Sequence, residues 1–179
     1  PMARIAVIAD IHGNAVALDA VLADLVRDPP ERLVCLGDAI QGGPQPAEVV
    51  MRLRHLACPV VMGNADAWLL TGQATGAEPT SAQQLAVREW QLARLAPDDR
   101  AYIARFQPTV EIDLGGGRAL LCFHGTPRSF DEIILPTTSE DEFQRMLGPF
   151  APALLCGGHT HLQQIRRLGD TLFFNPGSV

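Results

Sequence analysis

Several short apolar runs along the chain each end in a turn that carries polar side chains. The runs cover residues 5–9, 33–36, 60–62, 119–123 and 154–156. Their length, and the glycines or prolines around them, are typical of buried β-strands. In an open α/β sheet the carboxyl ends of parallel strands lie at one edge, where ligands bind. The pattern therefore predicts that the polar turns meet in one place.

Between the first runs, apolar residues recur at helical spacing. One helical face after residue 14 carries Ala15, Leu18, Leu22 and Leu25. Asn14 precedes this face as an N-cap, and Pro46 begins a second helix at its first turn. The order of strands and helices predicts parallel strands joined by right-handed crossovers.

Residues 67–106 follow a different pattern, which predicts a helical insert beside the sheet. Residues 73–80 are typical of a loop, and helical spacing returns after them. We interpret the insert as a lid or specificity element; a packing helix pair that does not touch substrate is the equal alternative. Apolar residues that alternate with polar ones, together with glycine-containing turns, predict two hairpins around residues 110–123 and 164–174. We therefore expect mixed strand directions in the second half.

Composition narrows the class of protein. The 179 residues are enough for a single domain spanning residues 1–179. A net charge of −6 argues against general nucleic-acid binding, which needs dense basic surface. No apolar run is long enough for a membrane span, and we find no secretory signal, so we expect a cytoplasmic protein with reduced, mostly buried cysteines.

The polar turns hold side chains that ligate metal ions. The candidates are Asp10, His12, Asp38, Asn64, His124, His159 and His161. This set is too large for one tetrahedral ion and suits two ions that share a carboxylate. Each residue alone also has an ordinary structural explanation. His55, late in a predicted helix, serves as the comparison and is expected to be a structural or surface histidine.

The combination of motifs resembles the calcineurin-like metallophosphoesterase superfamily, with spacing closest to its small bacterial phosphodiesterase branch. The motifs are Asp10-x-His12, Gly37-Asp38, Gly63-Asn64, His124, Gly158-His159-Thr160-His161 and Asn175-Pro176-Gly177-Ser178. The resemblance implies an α/β fold, a four-layer α/β/β/α sandwich of two mixed sheets flanked by helices. It also implies a phosphoesterase, more a phosphodiesterase than a general monoesterase. Hydrolysis would proceed by in-line attack of a metal-bridging hydroxide at a dinuclear centre.

The resemblance also implies how two divalent ions divide the ligands. One ion would take Asp10, His12 and His161, the other Asn64, His124 and His159, and Asp38 would bridge them. Asp38, Asn64 and His124 are then the expected catalytic residues. Manganese is the expected ion, with iron, zinc, nickel and cobalt as alternatives, because mixed nitrogen and oxygen ligands suit them. Magnesium is a further alternative.

The sequence departs from the superfamily at the position after Asn64. Many relatives carry a histidine there that protonates the leaving group, but here the residue is Ala65. Asp66 is the nearest candidate acid, and a cap for the following helix is its alternative explanation. Relatives usually continue beyond the last motif, so we expect the C-terminal edge of the second sheet to be incomplete.

Two further residues are candidate phosphate contacts alongside Asn64. Asn14 has an amide donor but is equally explained as a helix cap. Arg128, four residues after His124, has a guanidinium that clamps phosphate in many proteins. A solvated loop arginine is its alternative explanation.

Two classes of function follow from the sequence. The first is a phosphoesterase acting on a small phosphoester or nucleotide-type substrate. The second is a non-catalytic metal-binding scaffold or regulatory binding protein on the same fold. Retention of all the candidate ligands favours catalysis. A nucleotide-binding domain without metal chemistry has no support, because no glycine-rich phosphate motif follows the first strand.

Overall fold

The computed structural model describes residues 4–73, 80–150 and 153–179. Strands and helices alternate over the first four elements, three further helices follow, and strands dominate the rest of the chain. In chain order the elements are β1 (Ile5–Ile8), α1 (Ala15–Leu25), β2 (Arg32–Cys35), α2 (Pro46–Leu56), α3 (Asn64–Thr71), α4 (Ala82–Leu92), α5 (Pro97–Ile103), β3 (Val110–Gly115), β4 (Arg118–Cys122), α6 (Glu140–Leu147), β5 (Leu154–Cys156), β6 (Gln164–Leu168) and β7 (Thr171–Asn175). Most of the loop predicted over residues 73–80 lies outside the described residues.

The first sheet is small and parallel. β1 and β2 pair in register from Ile5 with Arg32 to Ile8 with Cys35. The strand predicted over residues 60–62 is reduced to single bridges, of Val60 with Cys35 and of Val61 with Gln107. Parallel order on this side agrees with the predicted crossovers, and the short third segment still ends beside β2.

The second sheet has five strands in the order β3-β4-β5-β7-β6. β4, β5 and β7 run parallel to one another, whereas β3 with β4 and β6 with β7 form antiparallel hairpins. Both predicted hairpins are therefore confirmed. The mixture of strand directions is found in this sheet.

Three apolar cores separate four layers of the fold. The first core packs α1, α2 and α5 on the outer face of the first sheet and includes Leu18, Leu53 and Ile103. The second core lies between the sheets, where Val34 of β2 meets Leu120 of β4. Neighbouring strand residues alternate between cores, as the two-residue period of a strand requires.

The third core covers the outer face of the second sheet. Phe143 and Leu147 of α6 pack there with Leu121 of β4 and Phe173 of β7. The layers therefore run helix, sheet, sheet, helix, which confirms the predicted four-layer sandwich, although the first sheet is parallel and not mixed as expected. Helix α6 was not predicted, although Ser139 caps it and accepts from the Glu142 amide, an arrangement typical of a helix start.

The helical insert over residues 67–106 contains α4, α5 and most of α3, so its helical character is confirmed. Among its residues, Leu95 and Ile103 are buried in the first core. No helix within the described ranges is long and apolar enough to cross a membrane. Cys35, Cys122 and Cys156 are buried and unpaired with one another, as expected of small core residues.

Candidate metal centre

The candidate ligands follow the carboxyl ends of strands from both sheets. Asp10 and His12 follow β1, and Asp38 follows β2. Asn64 is the first residue of α3. The turns after β4 and β5 carry His124, His159 and His161. Each of these turns lies at the sheet edge where a ligand site was expected.

One group of three side chains combines the two sheets. Asp10, His12 and His161 place a ligand atom each within 4.8 Å of one another. His161 Nε2 lies 3.5 Å from Asp10 Oδ1 and 3.1 Å from His12 Nε2. These are the three residues that the resemblance assigned to the first ion.

A second group lies beside the first. Asp38, His124 and His159 also place ligand atoms within 4.8 Å of one another. Asn64 Oδ1 lies 3.0 Å from His124 Nε2. Asp38 Oδ2 is 3.3 Å from His124 Nε2 and 3.7 Å from His12 Nε2, so one carboxylate oxygen reaches both groups.

The backbone is strained at these positions. Six non-glycine residues in the described part of the chain have positive φ angles, and five of them are candidate ligands. These five are Asp10, His12, Asp38, His159 and His161. Positive φ is uncommon for residues with a Cβ and collects at functional sites, where packing holds it in place. The strain directs the side chains of successive turns toward the same point.

Backbone carbonyls orient two of the imidazoles. Gln41 O lies 2.7 Å from His12 Nδ1, and Leu36 O lies 2.8 Å from His124 Nδ1. A carbonyl only accepts, so each Nδ1 donates the proton, and in the neutral ring Nε2 carries a lone pair. Both lone pairs point into the cluster. Such an outer partner is the usual companion of a metal-binding histidine.

Burial and mutual charge shift the carboxyl pKa values. Burial raises the pKa of Asp10 to about 6, against the opposing charge of His124. Burial also raises the pKa of Asp38, but the hydrogen bond and charge of His124 outweigh it and hold that pKa below its usual value. Asp38 is therefore the anion at the centre of the cluster.

The histidines differ in pKa. Burial lowers the pKa of His124, but the hydrogen bond and charge of Asp38 prevail and raise it to about 9. Burial lowers the pKa of His159 and of His161, and a neighbouring histidine adds to each effect. Neutral imidazoles of this kind are the form that binds metal ions.

Two backbone features fix the position of Asp38. The amide of Ala65 donates to Asp38 Oδ1 at 2.8 Å. A Cβ built on Gly63 would lie 2.1 Å from the same oxygen, so only glycine fits there. The Gly63-Asn64-Ala65 turn therefore holds both a candidate ligand and the carboxylate that faces it.

Two polar residues support the ligand turns from behind. Buried Asp66 accepts hydrogen bonds from the amides of Ala39 and Ile40 at 3.0 and 2.9 Å, so it holds the turn after Asp38. The explanation of Asp66 as a cap of its own helix is wrong. Asn175, in the last predicted motif, donates to Gly158 O at 2.7 Å and so holds the turn that carries His159.

The two candidate phosphate contacts have partners of their own. Asn14 Oδ1 accepts from the Ala17 amide at 3.0 Å, which confirms its prediction as the N-cap of α1. The Arg128 guanidinium donates to both carboxylate oxygens of Glu132, at 3.0 and 2.6 Å. His55 is exposed on α2 and belongs to neither group, as expected.

This fold and this clustering define a class of protein. The sequence profile of the calcineurin-like phosphoesterase superfamily domain matches residues 3–179, and the chain belongs to that superfamily. Its members generally bind divalent metals, and the two groups of aspartate and histidine are candidate sites for them.

Individual relatives cover almost the whole chain. Protein MJ0912 of Methanocaldococcus jannaschii, an uncharacterized protein, is 27% identical over 177 residues, which are 98% of this chain and 69% of the relative. The hypothetical protein PH1004 of Pyrococcus horikoshii superposes with a TM-score of 0.85 at 21% identity, covering 99% of this chain and 77% of that one. A metallophosphoesterase from Sphaerobacter thermophilus superposes with a TM-score of 0.78 at 24% identity, with the same coverage of both chains. At these identities the structural likeness shows the fold alone.

Proposed function

We propose that this protein is a metal-dependent phosphodiesterase with two divalent cations in its active site. One observation carries the proposal: Asp38 Oδ2 lies within 3.7 Å of an imidazole nitrogen from each of the two ligand groups. A carboxylate in this position can bridge two cations, and paired cations about 3.5–4 Å apart are typical of phosphoester-cleaving sites.

The donor set fits such cations. Asp10, His12 and His161 would hold one, and Asn64, His124 and His159 the other, with Asp38 between them. Imidazole nitrogens with carboxylate and amide oxygens suit manganese, which we propose first, and also iron, zinc, nickel or cobalt. A cation bound to His124 Nε2 would take the place of the proton that this nitrogen directs at Asp38 Oδ2, 3.3 Å away.

The bound cations would supply a water of near-neutral pKa and positive charge against the phosphoryl oxygens. The chain's own groups set the geometry for in-line attack. Asp38 fixes the spacing of the two groups, and the Leu36 and Gln41 carbonyls hold His124 and His12 in orientation. The reaction needs no serine or cysteine nucleophile.

Substrate contacts complete the proposal. The Asn64 amide, at the start of α3, is positioned with the second group and is proposed to donate to a phosphoryl oxygen. Asn14 and Arg128 are proposed as further phosphate contacts. The Arg128 guanidinium would leave the Glu132 carboxylate and bind the substrate phosphate instead. The substrate is proposed to be a small phosphoester or nucleotide-type molecule.

A reconstitution experiment tests the function. Chelator-treated protein is supplied with Mn²⁺ and bis(4-nitrophenyl) phosphate, and release of 4-nitrophenolate is measured. We expect turnover well above that of Mn²⁺ alone. In Asp38→Asn turnover should fall by at least about 100-fold, because mutation of a residue that only supports a metal ligand already lowers metal affinity or activity about 10–100-fold, and Asp38 is itself a proposed ligand. The exposed carboxylate change Asp24→Asn is the matched control and leaves turnover unchanged.

The alternative function gives a different result in the same experiment. A non-catalytic scaffold would bind Mn²⁺ without turnover of this or other phosphoesters. Metal binding is therefore measured on the same samples by calorimetry. Metal binding without hydrolysis, at every cation named above, would overturn the enzyme proposal and favour the scaffold.

A further inference from the structure

An apolar pocket lies beside the candidate metal centre. Residues 42–44, in the turn region after β2, form one wall, and helix α4 forms the other with Gln83, Ala86, Val87 and Trp90. Its volume is about 460 Å³. Small-molecule sites span roughly 300–1,000 Å³, so the pocket has room for one ring system and its substituents.

The pocket wall on α4 is a face that core packing leaves open. Gln83, Ala86, Val87 and Trp90 follow helical i, i+3, i+4 and i+7 spacing, so they share one face. Trp90 remains 40% exposed. The Arg94 guanidinium covers one side of its ring, 3.4 Å from the centroid. An indole of this kind is a large, rigid surface for a planar group.

A buried glutamine fixes the two walls to each other. Gln91 of α4 is fully buried, and its side chain accepts from the Gly42 amide at 3.1 Å and donates to Gly43 O at 2.8 Å. The pocket is therefore formed before any ligand enters. A preformed site avoids the ordering cost that binding otherwise includes.

The glycine wall brings the pocket next to a metal-site histidine. A Cβ built on Gly42 would lie 3.3 Å from His12 Nδ1, so the glycine wall of the pocket packs against the ring of a candidate ligand. The carbonyl of the preceding residue, Gln41, holds His12 Nδ1. The pocket that Trp90 lines therefore begins beside a candidate metal ligand.

We infer that this pocket binds the aromatic ring of an ester group on the phosphoester substrate, with the ring against Trp90 and Val87. The inference rests on the proposed function, because the phosphate end is placed at the metal centre. It gives part of the helical insert, α4, a role in choosing the substrate. Aromatic phosphoesters are favoured over aliphatic ones of the same charge.

Binding of two small probes tests the inference without relying on turnover. Phenyl phosphate and methyl phosphate carry the same headgroup and differ in the ring. Their affinities for Mn²⁺-loaded protein are measured by calorimetry, and the Trp90 indole N–H is followed by NMR. We expect phenyl phosphate to bind about tenfold tighter, the scale of one stacked ring, and to shift the Trp90 signal.

Variants test whether Trp90 causes the tighter binding of phenyl phosphate. Trp90→Ala is expected to reduce the phenyl-to-methyl affinity ratio to about one, and Trp90→Phe to keep most of it. Leu85→Ala is the matched control, because Leu85 is 42% exposed on the same helix but does not line the pocket. These exposed positions are not core residues, so the folded state survives each change.

The outcomes separate this inference from the proposed function. If wild-type protein hydrolyses phosphodiesters but binds both probes equally, or if Trp90→Ala keeps the ratio, the pocket inference is overturned while the function stands. If neither probe binds the Mn²⁺-loaded protein and no phosphodiester is hydrolysed, both fail.

Discussion

The two sheets contribute different chemistry to the candidate centre. The first sheet and the helix start beside it provide the candidate oxygen ligands, namely Asp10, Asp38 and Asn64, together with one imidazole, His12. The second sheet provides imidazoles only, from the turns after β4 and β5. Each of the two ligand groups nevertheless draws on both sheets. The acidic half and the imidazole half therefore form the candidate metal site only when the sheets pack against each other.

This division makes the site a link between layers. The apolar core between the sheets brings the two halves together, and the His159 amide then donates to Asp10 across the junction at 3.2 Å. Cations bound there would hold the sheets together by bonds to both. The predictions below weaken one half at a time, or the link itself.

The largest effect is expected from Gly63→Ala in the acidic half. The new Cβ would lie 2.1 Å from Asp38 Oδ1 and displace the carboxylate shared by both groups. We expect Mn²⁺ affinity to fall by at least about 100-fold, beyond the range typical of outer partners. Calorimetric titration measures it.

The control for Gly63→Ala is Gly116→Ala in the turn between β3 and β4. No atom lies within 4 Å of a Cβ there. Its positive φ costs about 1 kcal/mol of stability, but metal affinity stays unchanged. Unaltered Mn²⁺ binding in Gly63→Ala would show that Asp38 is not a ligand shared by the two groups.

Metal removal tests the link between the halves. A ligand at 100 times its dissociation constant adds about 2.7 kcal/mol to the free energy of unfolding. At about 2–4 °C per kcal/mol for a chain of this size, Mn²⁺ should raise the melting temperature by about 5–10 °C. Differential scanning calorimetry with and without chelator measures the shift. The same rise in Asp38→Asn would show that the ions act elsewhere.

Asn175→Ala weakens the imidazole half from behind. Its side chain holds Gly158 O at 2.7 Å and Thr160 Oγ1 at 3.2 Å, on either side of His159. We expect Mn²⁺ affinity to fall about 10–100-fold, as for other outer partners of metal ligands. Competition with a fluorescent chelator measures the affinity. An unchanged affinity would mean that the turn keeps its shape without Asn175.

The smallest expected effect concerns Arg128, outside both halves. If Arg128 exchanges Glu132 for phosphate, Arg128→Ala raises KM for a phosphodiester less than about tenfold and leaves kcat unchanged, because the contact is partly exposed. Glu132→Gln frees the guanidinium and should lower KM instead. Steady-state kinetics with both variants decides the role. Equal KM values in the two variants and wild type would leave Arg128 as a partner of Glu132 only.

Much of the fold could be predicted from the sequence because the signals were local. Short apolar runs with glycine boundaries located the strands of the parallel core, and the N-caps and prolines located α1 and α2. The third strand of the first sheet was overestimated: an apolar run at residues 60–62 forms single bridges. Strand pairing depends on the backbone groups that neighbouring segments place beside the strand, and an apolar run carries no information about them.

The candidate ligands were predictable because each combined a distinctive residue type with a strand end. Their supporting residues were harder to predict. Asp66 lies two residues from Asn64, yet its partners are the amides of residues 39 and 40 on another turn. Gln91 is a polar residue in a helix, and its burial against residues 40–43 depends on tertiary packing alone.

The number of cations that the folded chain holds tests most directly whether Asp38 joins a paired metal site. Chelator-treated protein is titrated with Mn²⁺ by calorimetry, and the bound metal is counted by elemental analysis after desalting. We expect two ions per chain in wild-type protein and in His55→Gln, and loss of tight binding in Asp38→Asn. No bound Mn²⁺ in wild-type protein, or two ions still held by Asp38→Asn, would contradict it.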